Sequence, residues 1–350
     1  MKDGKLGWGI VGCGVIAPWH AESVKRCPDA ELVAVSDYVE SKGREFAEKY
    51  GVAFHKDYRE LLSRDDIDVI SVCTPSGLHG EVTIAAAEAG VHVLCEKPLE
   101  VTKEKMDAMI RACRERGVKL GCVFQRRTYM ASQMAKKAVE EGKLGKLVLA
   151  DAYLKYYRSQ KYYDSAGWRG TWALDGGGAL MNQGVHGVDL LLWLVGEPVV
   201  SVYAKADHLV RNIEVEDTAV ALLTFQSGAY GVIEGTTSVN PGEPTKIMLH
   251  GKLGTIAIEE SRIVRWATTT GEDDLAEDQE VQVEEGEEER AMQDPTAIGM
   301  AGHMTLVNDM ARAVIEDREP MIPGEDARKA VDLILAIYES ARTGEEVRLQ

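Results

Sequence analysis

No uninterrupted apolar run in these 350 residues approaches the roughly 18 needed to span a bilayer, so no transmembrane helix is expected. The opening stretch, MKDGKLGWGIVGCG, has neither a basic segment followed by a long apolar one nor a twin arginine, and no secretory leader is expected there. Positive charge is also scarce. Forty Lys and Arg stand against 57 Asp and Glu, a formal net charge of -17. Nucleic-acid phosphates and anionic membrane surfaces require clustered cations, so neither is an expected partner. The six cysteines (Cys13, Cys27, Cys73, Cys95, Cys113, Cys122) include no C-x-x-C pair. Several lie in apolar, strand-like runs where a thiol behaves as a small hydrophobe, which reads as reduced core residues of a cytoplasmic protein. His79, His92, His186 and His303 lack paired ligand spacing, so no metal is expected. No internal repeat is present.

What remains is the balance of an ordinary globular protein, 45% apolar and 28% charged, long enough for two domains. Much of the acidic excess lies between Glu272 and Glu289, a run that reads as a solvated hairpin or loop tip. The first third alternates short apolar runs (Leu6 to Val11, Glu31 to Ser36, Val52 to Phe54, Asp68 to Thr74, Val91 to Cys95, Lys119 to Phe124) with helical patterns, several closed by glycine. Such alternation predicts βαβ units and a doubly wound parallel sheet. After a boundary near Phe124 to Arg127 the pattern changes. A helix is predicted over Ala131 to Glu141, a long strand over Lys146 to Tyr157 and an apolar helix over Ala179 to Leu194. Strands joined by hairpin-length turns follow from Val199, predicting an antiparallel sheet, and two helices close the chain.

Four segments carry chemistry. Gly12-Cys13-Gly14-Val15-Ile16-Ala17 fits G-x-G-x-x-A between the first strand and the first helix. The first glycine serves the tight turn, the second lets backbone approach a pyrophosphate, and the small third residue lets helix and strand pack closely. Asp37 stands at the end of the second strand, where a carboxylate accepts from ribose hydroxyls. Tyr38 follows it with no adjacent Arg or Lys to meet a 2′-phosphate, which favours NAD over NADP. Thr74-Pro75-Ser76-Gly77-Leu78-His79 ends another strand, where ligands of open parallel sheets bind. Thr74, Pro75 and Leu78 are candidate cofactor contacts. His79 reads as a packing or helix-start residue near the cofactor, or alternatively as a proton carrier.

The third segment is Cys95-Glu96-Lys97-Pro98, again at a strand end. A Lys before Pro is, by itself, a surface turn. Placed here, Lys97 is expected beside the nicotinamide, where burial eases loss of its proton, with Glu96 and Gln125 among the cofactor contacts. The fourth is Gly176-Gly177-Gly178-Ala179-Leu180-Met181-Asn182-Gln183-Gly184-Val185-His186. In a helix Asn182 and His186 share a face, with Asp189 further along it. An imidazole on an apolar helix is usually a satisfied core group, but the triple glycine permits close approach of a ligand.

In this order and spacing the four segments resemble the Gfo/Idh/MocA oxidoreductases, named for glucose–fructose oxidoreductase and inositol dehydrogenase. The likeness runs essentially the whole length, to the ending PMIPGEDARKAVDLILAIYESARTG. It implies a Rossmann domain over 1–125 and an α+β domain over 126–350 with a large, open, mostly antiparallel sheet, the final helices being free to pack back on the first domain. One sheet face would build the substrate cleft and the other a homodimer or homotetramer interface. It further implies NAD-dependent hydride transfer to or from a secondary hydroxyl or ketone of a sugar, sugar derivative or cyclitol. Lys97 matches the family's catalytic lysine and His186 its catalytic histidine, and either could take the proton. Many members carry Asp where this chain has Asn182. An amide cannot raise the basicity of His186, which weakens a specific inositol dehydrogenase assignment and is compatible with sugar-nucleotide or glycoside 3-dehydrogenases. Arg126, Tyr156, Arg158, Trp168 and Arg169 are candidates for holding substrate hydroxyls or cofactor, while Trp172 fits the core at least as well. Two alternatives share the fold: a redox-assisted glycoside hydrolase or lyase, in which NADH would not accumulate, and a non-catalytic sugar or dinucleotide sensor, in which loss of Lys97 or His186 would be expected.

Overall fold

The computed structural model describes residues 4–271, 274–281 and 300–349. The chain forms two compact units, Met1–Gln125 with Met300–Arg328, and Arg126–Gly299 with Lys329–Gln350. Of the acidic run between Glu272 and Glu289, residues 272–273 and 282–289 lie outside the described residues, and the remainder includes a two-residue strand, Glu277–Asp278.

In the first unit the strands are β1 (Leu6–Val11), β2 (Ala30–Ser36), β3 (Ala53–His55), β4 (Val69–Val72), β5 (His92–Cys95) and β6 (Leu120–Cys122). They lie in the order β3-β2-β1-β4-β5-β6, every pair parallel. That is the strand order of dinucleotide-binding sheets. All six residues of β1 and all four of β4 are buried, as expected for central strands covered on both faces. The helices are α1 (Ala17–Arg26), α2 (Glu40–Tyr50), α3 (Tyr58–Leu62), α4 (His79–Glu88) and α5 (Lys103–Arg116). The final helices, left free by the sequence to pack on the first domain, divide: residues 300–328 fall in the first unit. The reason is local: Cys122 of β6 donates its N–H to Ile322 O at 2.9 Å, and the helix Met300–Ile315 buries Leu306, Val307 and Met310.

The second unit opens with α6 (Met130–Glu140), β7 (Leu147–Lys155), the short α7 (Gln160–Tyr163), a π-helical turn (Ala179–Gly184) and α8 (Val185–Val195). Strands β8 (Val199–Asp207), β9 (Thr218–Phe225), β10 (Tyr230–Thr236), β11 (Lys246–Gly251), β12 (Gly254–Glu259), β13 (Arg262–Thr268) and β14 (Glu277–Asp278) follow. In chain order the helix Met300–Ile315 is α9, then come α10 (Gly324–Thr343) and β15 (Val347–Arg348). The nine-stranded sheet runs β14-β13-β12-β11-β7-β10-β9-β8-β15; only β7–β10 is parallel. Ala219, Ala221, Leu223 and Phe225 of β9 are buried, whereas the alternating Val220 and Leu222 are each 50% exposed. One face is thus core and the other bare, the period-2 signature of a sheet covered on one side.

The continuous helix expected over Ala179 to Leu194 begins instead as a π turn. The backbone donors at its start are taken from outside: Glu216 accepts the N–H of Gly178 at 3.0 Å and of Leu180 at 2.8 Å on its carboxylate, and that of Ala179 at 3.1 Å on its carbonyl. With its start held this way the segment closes through Gln183 N to Gly178 O at 3.3 Å, an i to i+5 bond. Asn182 therefore leaves the face that α-helical spacing assigns to it.

Candidate active site

At the end of β1 the chain turns through Gly12, φ +96°, where a Cβ would lie 2.6 Å from Cys73 O. No other residue fits that turn without strain. Nothing lies within 4 Å of a Cβ position on Gly14, which leaves open space just ahead of the N-terminus of α1. Ala17, the third small residue, is fully buried. Asp37 accepts the Cys13 N–H at 2.8 Å on one carboxylate oxygen and the Val39 N–H at 2.7 Å on the other. Each oxygen keeps a lone pair for a ribose hydroxyl. Burial, and then the Asp37 charge, push the Cys13 thiol up to about 12, so it serves the turn through its backbone and not as a thiolate. Tyr38 and Val15 are exposed, Ile16 caps α1, and the residue after Val39 is another acid, Glu40. The residues present fit a dinucleotide lacking a 2′-phosphate: a cradle free of side chains, a helix N-terminus for pyrophosphate, and carboxylate for ribose.

Beyond β4, Thr74 and Pro75 are half-buried, and Ser76–Leu78 forms a 3₁₀ turn with Leu78 exposed. His79 is buried, with Nδ1 2.8 Å from Pro98 O and Nε2 3.0 Å from Thr74 O. Its two nitrogens thus lie between the loops after β4 and β5. Gln125 is buried at the end of the unit.

Lys97 is half-buried, and its backbone N–H reaches Glu96 Oε2 at 3.2 Å. Glu96 is the centre of a buried network that the sequence pattern does not reveal. Trp8 Nε1, which can only donate, lies 2.9 Å from Ser71 Oγ, and Ser71 Oγ lies 2.8 Å from His20 Nδ1. His20 Nε2 is 2.9 Å and His303 Nε2 is 3.3 Å from Glu96 Oε1. A bare ring nitrogen facing a carboxylate would be repelled, so His20 carries its proton on Nε2 and takes the Ser71 hydroxyl on Nδ1. Burial holds the His20 imidazole below its ordinary pKa, in keeping with that neutral form. Burial opposes the Glu96 charge, yet hydrogen bonds from His20 and His303 hold its carboxyl well below the usual range. His20, Glu96 and His303 are close enough together to have the composition of a metal site. The donor pattern instead describes a hydrogen-bonded anchor for the strand end that bears Lys97.

In the second unit the fourth segment meets residues from the preceding loop. The Asn182 amide donates to Asp175 Oδ1 and its carbonyl accepts from Gln183 Nε2. Gln183 also donates to Tyr162 Oη at 2.9 Å and accepts from Arg158 Nε at 3.0 Å. Arg169 donates to the same Tyr162 oxygen, its guanidinium 4.2 Å from the Tyr162 ring centroid and 4.8 Å from that of Trp168. Asp175 further accepts the Gly170 N–H at 2.7 Å. Asn182, Arg158, Trp168 and Arg169 are therefore brought together, while Tyr162, Asp175 and Gln183 were missed. Asp175 immediately precedes the triple glycine, and that adjacency was the available signal. The carboxylate absent at position 182 stands behind the amide that replaces it. His186 lies in the first turn of α8, half-buried.

Other candidates have partners of their own. Tyr156 is buried and bonds Thr245 Oγ1 at 2.7 Å. Arg126 pairs with Glu260 at 2.7 Å. Asp189 is buried in a two-point pair with Arg127, Nε to Oδ2 at 2.8 Å. Trp172, for which the core was one of two readings above, is 47% exposed and edge-to-face with Tyr338.

Residues 6–124 match the family model described as an oxidoreductase family with an NAD-binding Rossmann fold, and residues 132–257 match that of the GFO/IDH/MocA C-terminal domain. The chain is 34% identical to the myo-inositol 2-dehydrogenase of Thermotoga maritima over 268 residues, 73% of this chain and 75% of that protein. It is 31% identical over 267 residues, 73% and 74%, to an uncharacterised oxidoreductase of Bacillus subtilis. The WlbA dehydrogenase of Bordetella pertussis, solved with NADH and UDP-GlcNAcA, superposes with a TM-score of 0.86 at 34% identity, over 99% of each chain.

Proposed function

The chain belongs to the Gfo/Idh/MocA oxidoreductases, and from that premise we propose that it is an NAD-dependent dehydrogenase or reductase acting on a secondary hydroxyl or ketone of a sugar, sugar derivative or cyclitol. The observation that carries the reading is the Gly12 turn with the Asp37 carboxylate beside it and open space over Gly14. NAD, when bound, accepts or returns the hydride. Gly12, Cys13, Gly14, Val15 and Ile16 would hold its pyrophosphate and Asp37 its ribose, with Tyr38, Thr74, Pro75 and Leu78 alongside. Lys97 and His186 would exchange the hydroxyl proton, one as the acceptor and the other as its partner. Asn182, fixed by Asp175 and Gln183, would orient a substrate hydroxyl. Arg158, Trp168 and Arg169 supply the donors and the flat apolar surface that a sugar ring presents a need for.

The bare face of the second unit's sheet supports a homodimer or homotetramer built through it. Tyr203, Val220, Leu222 and Tyr230 are all more than 40% exposed there. No helix among the described residues is long and apolar enough to cross a membrane. All six cysteines are buried and none is in a disulfide, which supports a reducing, cytoplasmic setting. The decisive test is a screen of NAD⁺ reduction over inositols, free hexoses, glycosides and nucleotide sugars at neutral and alkaline pH. Stoichiometric NADH with one of these classes is the expected result. Release of an aglycone without NADH accumulation, or binding without turnover of any class, overturns it.

A further inference from the structure

The helix start that carries Asn182 and His186 is held from one residue. Glu216, just before β9, is 3% exposed, and its carboxylate accepts three hydrogen bonds: Gly178 N–H at 3.0 Å, Leu180 N–H at 2.8 Å and Tyr338 O–H at 2.8 Å. The fit around it leaves no room for side chains. A Cβ on Gly177 would lie 2.1 Å from Tyr338 Oη, and one on Gly178 would lie 2.1 Å from Glu216 O. The triple glycine that the sequence offers as a ligand-approach element is therefore also an approach of backbone to this carboxylate and its tyrosine. Behind them lies a cavity of about 640 Å³ whose walls include Glu216, Tyr338 and Trp172.

We propose that Glu216 is a positioning residue for the reaction: its carboxylate, steadied by Tyr338, sets the π turn that places Asn182 and the first turn of α8 that bears His186. The proposal rests on the roles given above to Asn182 and His186 and adds a residue that touches neither substrate nor cofactor. Two acceptor oxygens with free lone pairs are needed to serve two backbone donors and a hydroxyl at once. A protonated carboxyl has one such oxygen fully available, so protonation slackens the turn.

Burial pushes the Glu216 carboxyl up to about 7, against the hydrogen bonds from Leu180, Gly178 and Tyr338 that favour its charge. The groups that face it are Tyr338 of α10 and Tyr163 of α7, and Asp175 from the loop before the triple glycine acts on those two tyrosines in turn. Around the shared cavity stand Glu214, Asp207 and His208, with Glu339 and Arg342 of α10. The acids outnumber the cations, and none supplies a cation within hydrogen-bond reach of Glu216. The active form is the ionised one, so turnover rises with pH through the neutral region.

The test uses the full-length protein with NAD⁺ and the sugar that the screen identifies, measuring kcat and KM against pH, NADH binding, and the infrared band of a protonated buried carboxyl. Wild type should show an acid limb in kcat near 7 and a carboxyl band that titrates with it. Glu216→Gln should lose about 10²-fold in kcat, the cost of roughly an ångström of misplacement, with NADH affinity unchanged and both the limb and the band gone. Tyr338→Phe removes a donor to the charged form, so its limb and band should move to higher pH. This variant decides the matter alone if Glu216→Gln does not fold. A wild-type kcat profile in folded Glu216→Gln, or an unmoved limb in Tyr338→Phe, overturns the proposal. His186→Ala separates this failure from that of the catalytic assignment. Turnover surviving in His186→Ala sinks the assignment itself, whereas its loss there beside an unaffected Glu216→Gln sinks only the positioning role.

Discussion

The two sheets place chemistry by different means. In the first unit each chemical segment begins within a residue or two of a buried parallel strand: Gly12 after β1, Asp37 after β2, Thr74 after β4 and Glu96 after β5. The strand fixes the position, and the backbone of the following turn is what it offers to a cofactor, so the motif is contiguous in sequence. In the second unit the grouped residues are 158, 162, 169, 175, 182 and 183, joined by side-chain hydrogen bonds across loops, a short helix and a π turn. Backbone-made sites are spelled in neighbouring letters, and side-chain-made sites are scattered. The comparison also separates what fails when each is damaged: a backbone-made site tolerates change beside it, while a network loses its members together.

The sharpest way to break this comparison is at Lys97, the one group of the first unit assigned to proton exchange. Lys97→Ala leaves Gly12, Gly14 and Asp37 untouched, so NADH should bind with wild-type affinity in a fluorescence titration. Turnover should drop by about 10²–10⁴-fold, the usual contribution of a general acid–base group. Near-normal turnover would remove Lys97 from the chemistry. Lost NADH binding would show instead that the first unit does not hold its cofactor independently of this side chain.

The next test lies in the anchor under Lys97. Glu96 receives His20, His303 and the Lys97 N–H, three donors and no acceptor. Glu96→Gln would place an amide N–H₂ against at least one of those donors and remove the charge that they stabilise. Breaking one partner of such a buried set typically costs about 3–5 kcal/mol, read as a lower midpoint in urea at unchanged slope. A loss below about 1 kcal/mol would mean that the network relaxes freely and does not fix the strand end.

That anchor also marks the limit of legibility. E-K-P announced Lys97, and alternating strand and helix patterns announced the parallel sheet, because both are local. Nothing near Glu96 announces His20 or His303, which arrive from 76 residues before and 207 residues after it. The place of residues 300–328 was left open for the same reason: an amphipathic helix states that it has a buried face, not which core it joins. The π turn was missed because Ala179 to Leu194 is apolar enough for an unbroken helix, and only the three bonds from Glu216 show otherwise. Asn182 looked like a weakened site when considered alone. With Asp175 bonded to its amide, the carboxylate is displaced by one link instead of lost.

The smallest effect on chemistry is expected where the two sheets differ most, in their covering. Both faces of the first unit's sheet are packed, while the second has one bare face on which Tyr203, Leu222 and Val232 stand side by side across three strands. Leu222 is half exposed in the protomer, so Leu222→Asp gives up little core and should cost folding only about 0.5 kcal/mol, as surface changes do. In an interface through this face, however, the new carboxylate would be buried among apolar residues without a partner, which is prohibitive for association. Sedimentation equilibrium should therefore show the wild type as a dimer or tetramer and Leu222→Asp as a monomer, with NADH binding unchanged because that site belongs to the other unit. A variant that keeps the wild-type mass, or a wild type that is already monomeric at micromolar concentration, would leave the bare face without its proposed partner copy.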